Sequence, residues 1–132
     1  MNSVLIFYTA HKTGYCETAL KSVIAPMGIN IENIIAAVSV QHFGESINNC
    51  LNSCDTLFIV GDILRTDKAG LMPVLSCGLK DADVSACKIN AEENTGYLLE
   101  LGNKKLVVLP DVPEQISRLV TAQLADYLKT EK

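Results

Sequence analysis

The stretch DTLFIVGD, from Asp55 to Asp62, constrains the fold of this chain more than any other. Residues 57–60 form a continuous apolar run, rich in branched and aromatic side chains, that ends abruptly at Gly61. A strand buried on both faces has such a continuous run, whereas a half-exposed strand alternates polar and apolar residues. The run therefore predicts a central parallel strand, and open α/β sheets bind ligands at the carboxyl ends of such strands. A buried strand followed by a turn glycine is the simpler interpretation of the same residues.

Apolar runs alternate with segments of helical periodicity through the first part of the chain. Residues 4–8 and 34–40 are predicted strands, and the 3,4 spacing of apolar residues predicts helices over 16–27, 43–54 and 66–77. Strands that alternate with helices of this length are typical of right-handed βαβ units. The predicted fold class is α/β, a three-layer sandwich with a mostly parallel sheet and helices on both faces.

The last part of the chain predicts a different arrangement. Residues 97–101 and 105–109 are short apolar runs separated by a Gly-Asn pair, which is typical of an antiparallel β-hairpin. Pro113 then suits the first turn of a final amphipathic helix, and Glu114 suits the positive end of its dipole. A C-terminal antiparallel hairpin is therefore expected beside the parallel strands.

Composition excludes several classes of protein. A length of 132 residues suits one domain over 1–132, and a net charge of −4 with scattered basic residues argues against a nucleic-acid surface. No apolar run approaches the ~20 residues of a membrane span. The N-terminal residues lack the basic segment and cleavage site of a secretory signal, so a cytoplasmic location is expected. Five cysteines without a close CxxC pair or a neighbouring histidine predict buried free thiols and no metal site.

The segment GYLLELGNKKLVVLPDVPEQ, residues 96–115, resembles the closing part of the molybdopterin-binding domain. This domain occurs in molybdenum-cofactor biosynthesis proteins and in CinA-like proteins, where a glycine-led hairpin precedes a Leu-Pro-Gly-x-Pro strand end and a helix. Residues 55–67 resemble, more loosely, the family's strand that ends in a Gly-Gly loop followed by a threonine and acidic residues. The resemblance implies a cleft for a small phosphorylated ligand, either molybdopterin or a related nucleotide, and a homo-oligomer (dimer or trimer).

A second resemblance concerns the segment YTAHKTGYCE, residues 8–17, which is similar to the phosphate loop of flavodoxins. That loop supplies hydroxyls and amides ahead of a helix to the FMN phosphate. A flavodoxin-like FMN-binding protein is therefore one alternative, although the predicted hairpin and the shortage of aromatic stacking partners count against it. A non-catalytic assembly or interaction module is another.

In the molybdopterin-binding-like fold, three loops are predicted to form the ligand site, and the first of them is expected to contact an anion in the flavodoxin-like alternative as well. Residues of the first loop contact an anion or, alternatively, only cap the first helix. The predicted ligand-binding residues are Thr9, Thr13 and Gly14 in the first loop, Gly61, Asp62, Thr66 and Asp67 in the second, and Pro110, Asp111 and Pro113 in the third.

Departures from the family pattern argue against full catalytic activity. Asp62 and Asp111 stand where glycines are expected, so a side chain and a negative charge oppose the approach of a phosphate. Gln41 and Lys68 stand near the positions of acidic residues that would hold a metal or orient the ligand. We therefore predict a binding domain rather than an enzyme, with no catalytic residue assigned.

Overall fold

The computed structural model describes residues 2–8, 10, 12–62, 71–78, 84–91, 94–101 and 104–120. Within these ranges the elements are β1 Asn2–Tyr8, α1 Thr13–Ile24, β2 Asn30–Ala37, α2 Val40–Leu51, β3 Thr56–Gly61, α3 Leu71–Gly78, β4 Val84–Ala91, β5 Asn94–Leu101, β6 Lys104–Pro110 and α4 Pro113–Leu119. A 3₁₀ turn over Ala25–Met27 continues α1. None of the described helices is long and apolar enough to cross a membrane.

The six described strands form one sheet in the order β2-β1-β3-β6-β5-β4. β2, β1, β3 and β6 are parallel, whereas β5 is antiparallel to both of its neighbours. Tyr97 pairs with Val108 and Leu101 with Lys104, so the predicted hairpin of residues 97–101 and 105–109 is confirmed. The predicted α/β class, mostly parallel with an antiparallel hairpin, is also confirmed.

The central strand β3 explains why its sequence is continuously apolar. Phe58 and Val60 belong to a buried cluster with α1 and α4, and Leu57 and Ile59 belong to a second cluster with α2 and α3. All four side chains are buried, which confirms the predicted burial of this run. Burying an aliphatic or aromatic side chain of this size stabilises the fold by roughly 1.5–3 kcal/mol. The helices therefore cover both faces of the sheet.

The second strand and second helix differ from prediction in their bounds. β2 runs over Asn30–Ala37 rather than 34–40, because Ser39 is the N-cap of α2 and its hydroxyl accepts a hydrogen bond from the backbone N–H of His42 at 3.1 Å. This cap ends the extended conformation although the apolar pattern continues through Val38. Val38 itself is exposed, so its apolar side chain does not mark a buried strand position.

Helix α1 also begins elsewhere than predicted. α1 starts at Thr13 instead of residue 16, and its N-cap is Lys12. α3 starts at Leu71, with Pro73 in its first turn where a missing N–H is tolerated. The predicted start of α3 at residues 66–67 lies outside the described residues.

Gly96, the first residue of the segment that resembles the molybdopterin-binding domain, lies in a crowded part of β5. A Cβ added there would lie 2.8 Å from the carbonyl oxygen of Val108 and 3.4 Å from a methyl group of Leu119. Because α4 packs directly over the β5–β6 pair, only glycine fits at this position without a shift.

Candidate carboxyl-edge cleft

The carboxyl ends of three parallel strands meet at one edge of the sheet. Tyr8 ends β1, Gly61 ends β3 and Pro110 ends β6, and the three residues are neighbours in the strand registers. β1 lies between β2 and β3 in the sheet. The chain therefore passes from β1 to β2 on one side of β1 and then returns to β3 on its other side. α1 and α2 accordingly cover opposite faces of the sheet, which leaves a crevice between the ends of β1 and β3. We call this crevice, with the loops after β1, β3 and β6, the carboxyl-edge cleft.

The N-terminus of α1 lies at this cleft. Lys12 precedes the helix in a left-handed conformation with φ of 53°, and its side chain makes no capping hydrogen bond. Its first turn contains no acidic residue, and Thr13 and Gly14 are exposed. The first amides of a helix lack partners within the helix and carry a partial positive charge, so they attract anions. The N-cap of α1 is Lys12, so Thr13 and Gly14 are residues of the helix itself, and Thr9, the other residue of the capping alternative, lies outside the described residues.

Two predicted site glycines have different surroundings. A Cβ on Gly14 would meet no atom within 4 Å, whereas a Cβ on Gly61 would lie 2.8 Å from the carbonyl oxygen of Tyr8 and 3.1 Å from Leu71. Gly61 therefore allows β1, β3 and α3 to pack closely, whatever else it contacts. The space beside Gly14 is open.

Electrostatic coupling shows that the first and third loops are adjacent. Burial raises the pKa of the Cys16 thiol to about 11, with a further increase from the Asp111 carboxylate, a smaller decrease from Lys12 and an increase from Glu114. Cys16 lies in the first turns of α1 and is fully buried, so these charges surround the start of that helix. Asp111 follows β6 directly and is partly exposed, as is Asp62 after β3. Among the described residues of the cleft, Lys12 is therefore a cation that lies near several carboxylates.

Two aromatic rings near the cleft have different roles, which sequence reasoning did not separate. The ring of Tyr8 is buried and stacks on Phe43 of α2, with ring centroids 4.4 Å apart and an interplanar angle of 14°. It attaches the end of β1 to α2 and is not available to a ligand. Tyr15, in the first turn of α1, is 74% exposed. Its ring can stack on a flat ligand bound at the helix start.

The remaining predicted residues contribute less or cannot be placed. Pro110 is the buried last residue of β6, and Pro113 is the first residue of α4. Thr9, Thr66 and Asp67 lie outside the described residues, as does Lys68. Gln41 is exposed in the first turn of α2, and its amide donates to the Glu45 carboxylate at 3.2 Å. In the described ranges, no group of three His, Cys, Asp or Glu residues is placed to hold a metal ion.

A cavity of about 220 Å³ lies at the opposite end of the sheet. It is lined by Lys21, Ile24, Ala25, Ile29, Asn30 and Ile31. Asn30 begins β2, whereas the carboxyl-edge cleft lies beyond the ends of the parallel strands. This cavity is therefore separate from the predicted site.

Neither a protein-family model nor a curated protein matches the sequence. Solved structures, however, share its fold. A CinA protein of unknown function from Thermoplasma acidophilum is similar with a TM-score of 0.72 and 14% identity, over 95% of this chain and 96% of that one. A MogA structure has a TM-score of 0.63 and 17% identity, over 97% of this chain and 94% of that one. The molybdopterin biosynthesis protein MoeA from Pyrococcus horikosii has a TM-score of 0.64 and 15% identity, over 96% of this chain but 35% of its own.

These similarities establish the fold of the molybdopterin-binding domain, as the segment 96–115 predicted. The antiparallel strand β5 distinguishes this sheet from that of the flavodoxins. At such identities the comparison concerns the fold alone, and the chemistry of the cleft has to be argued from its own residues.

Proposed function

We propose that the carboxyl-edge cleft binds a small phosphorylated ligand of the pterin or nucleotide type, such as molybdopterin or ADP-ribose, without the full catalytic set of the active relatives. The observation that carries this proposal is the position of the start of α1 at the crevice between β1 and β3, where the side chain of the N-cap residue Lys12 makes no capping hydrogen bond. Ligands of open α/β sheets bind at this place, and helix amides there suit a phosphate.

Two features of the α1 start favour an anion. The aligned peptide dipoles place about half a positive charge at the helix N-terminus. Lys12 adds a full charge next to it, and at an effective dielectric near 20 a lysine 6–8 Å from a phosphate contributes about 2–3 kcal/mol before salt screening. The exposed ring of Tyr15 adds a surface on which a pterin or a base can stack.

Asp62 and Asp111 set a limit on the affinity. Each carboxylate at a similar distance opposes a phosphate by about as much as Lys12 attracts it. A ligand with a flat apolar ring therefore suits the cleft better than a bare phosphate. Turnover is not expected, since the Gln41 amide cannot replace a metal-holding carboxylate.

Isothermal titration with molybdopterin, ADP-ribose, AMP and FMN tests this function. Gly14→Asp introduces a carboxylate into open space at the α1 start. This acidic side chain suits the helix dipole and should not lower stability, but it should weaken binding at least about tenfold. Gly44→Asp is the matched control, because a side chain at Gly44 in α2 also meets no atom within 4 Å.

Equal effects of the two aspartates, or no binding of any of the four compounds, would contradict the proposal. Preference for FMN, or a yellow purified protein, would favour the flavin alternative. A non-catalytic assembly module is the second candidate function, and the exposed apolar residues of β2 and its C-terminal flank favour it.

A further inference from the structure

β2 is an edge strand whose second half, with the residues just beyond it, is apolar and partly exposed. It lies at one end of the sheet order, and among the described strands it pairs only with β1. Ile34 is 36% exposed, and just beyond the strand Val38 is 80% and Val40 47% exposed. Natural edge strands are usually protected by lysine, proline, a bulge or a covering element, because their free backbone groups invite further strand pairing.

Only the beginning of β2 has such protection. The β1–β2 register shifts between Ser3 and Val4, so that Glu32 is the extra residue of a bulge. From residue 33 to residue 40 the sequence NIIAAVSV contains neither charge nor proline. This part of the edge is regular and open to a partner.

The amide of Ile34 is available at this edge. Its N–H donates to the Oδ1 of the adjacent, exposed Asn33 at 2.9 Å. A second strand can replace this local bond with a ladder hydrogen bond at little net cost. In the register Ile34 is the partner of Leu5, whose side chain lies on the face covered by α1. Ile34 therefore lies on that face as well, at its margin.

We propose that β2 pairs antiparallel with β2 of a second copy of this chain, on a two-fold axis at Ile34. The two Ile34 side chains then lie opposite each other on one face, and the two six-stranded sheets become continuous. Glu32 of each copy lies opposite Ala36 of the other. The two Glu32 carboxylates are four residues apart along the strands, about 14 Å, which is beyond the Debye length at physiological salt.

The charges of the edge favour this partner over other arrangements. A parallel pairing would place the two Glu32 side chains next to each other. If β2 of one copy paired with β4 of another, each end of the assembly would still have one free edge strand. Further copies could then add without limit, as in a filament. Of these three arrangements, only the antiparallel pairing satisfies both β2 edges, closes as a dimer and keeps the two Glu32 carboxylates apart.

Sedimentation velocity over a wide range of concentrations tests the pairing. The native chain should show a concentration-dependent monomer–dimer equilibrium. Ile34→Lys should remove the dimer by placing two ammonium groups opposite each other. If Ile34→Lys folds poorly, Val38→Lys is the substitute variant. Val38 lies outside the strand, and this change should weaken the dimer. Asn48→Lys, at an exposed position of α2, is the matched control and should leave the equilibrium unchanged.

Two further variants test the register. Ile34→Cys should give a disulfide-linked dimer under mild oxidation, because opposite Cα atoms lie about 5.5 Å apart in such a pair, whereas Asn48→Cys should not. Asn33→Ala, which frees the Ile34 amide, should tighten the dimer between about twofold and tenfold. A strict monomer, a dimer unaffected by both lysine variants, an association that grows beyond the dimer or a complex with a different protein at this edge would overturn the proposal.

Discussion

Gly61 and Tyr8, the last residues of neighbouring strands, lie so close that no side chain fits between them. A Cβ on Gly61 would lie 2.8 Å from the carbonyl oxygen of Tyr8, and Leu71 of α3 closes the other side at 3.1 Å. Real Cβ atoms do not approach a backbone oxygen to this distance, so the strand ends or the helix would have to shift.

We therefore expect Gly61→Ala to destabilise the protein by about 1–3 kcal/mol, the usual cost of overpacking. Gly44→Ala is the matched control. It adds the same methyl group to open space in α2 and should stabilise the helix by up to about 1 kcal/mol. Urea denaturation midpoints measure both effects. Equal midpoints for the two variants would contradict this prediction, because they would show that the backbone around Gly61 can shift to accommodate a methyl group at no cost in stability.

The sequence predicts the parts of this fold that depend on burial and turn chemistry. The apolar run of β3 marks a strand covered on both faces, and the Gly-Asn pair after residue 101 marks the antiparallel hairpin. Pro113 correctly marks the start of α4. Each of these signals is local, and each agrees with the tertiary packing.

The parts that the sequence does not predict depend on side chains whose exposure is set by tertiary structure. The apolar residues Val38 and Val40 extended the predicted second strand, but both are exposed, β2 ends at Ala37, and Val40 is the first residue of α2 after the Ser39 cap. Lys12 was not among the predicted site residues, because a lysine in a left-handed N-cap position has no sequence signature. The adjacency of Asp111 and the start of α1 likewise appears only once the helices pack.

Two replacements of Lys12 distinguish the effect of its charge on ligand binding from the effect of its left-handed backbone conformation on stability. Lys12 has a left-handed backbone conformation, which costs a non-glycine residue about 1–2 kcal/mol. Glycine avoids this cost, but about half of the gain is lost because glycine has a greater conformational entropy in the unfolded chain. We expect Lys12→Gly to raise the free energy of unfolding by about 0.5–1 kcal/mol and to weaken the binding of ADP-ribose severalfold. Lys12→Ala should weaken binding equally without the gain in stability. If both variants bind as the native chain does, Lys12 does not contact the anion.

Stability at alkaline pH should depend on Cys16. Its thiol has a pKa of about 11 in the folded chain against an ordinary value of 9.0, because burial and then the Asp111 carboxylate disfavour the thiolate. A raised pKa means that the stabilising contribution is complete below pH 9 and is lost as the pH rises towards 11. In this window the free energy of unfolding should fall by up to about 1.4 kcal/mol per pH unit from this group.

Tyrosines and lysines also titrate in this range, so the comparison is with Cys16→Ala. That variant loses packing at every pH, but its stability should decline less steeply between pH 9 and 11 than that of the native chain. Urea midpoints at several pH values measure the two slopes. Parallel curves would contradict the raised pKa.

The last prediction concerns Asp62 and Asp111, which we expect to weaken the binding of phosphorylated ligands. Asp62→Asn with Asp111→Asn removes both charges and keeps hydrogen-bond acceptors of the same shape. At an effective dielectric near 20, each charge 6–8 Å from a phosphate opposes it by about 2–3 kcal/mol before salt screening. The double variant should therefore bind ADP-ribose at least about tenfold more tightly, which requires only ~1.4 kcal/mol. The gain should diminish as salt is added.

The control changes the net charge equally but away from the cleft. Glu32→Gln with Asp55→Asn replaces two exposed carboxylates, and both lie at the opposite end of the sheet, Glu32 near the start of β2 and Asp55 just before β3. This pair should leave the affinity within about twofold, because exposed charges beyond a Debye length are screened. Hydrolysis should remain undetectable in every variant, since none restores a carboxylate at Gln41. Weaker binding by the Asp62, Asp111 variant would mean that these carboxylates hold the ligand through a cation, and hydrolysis by the native chain would show that the cleft is catalytic.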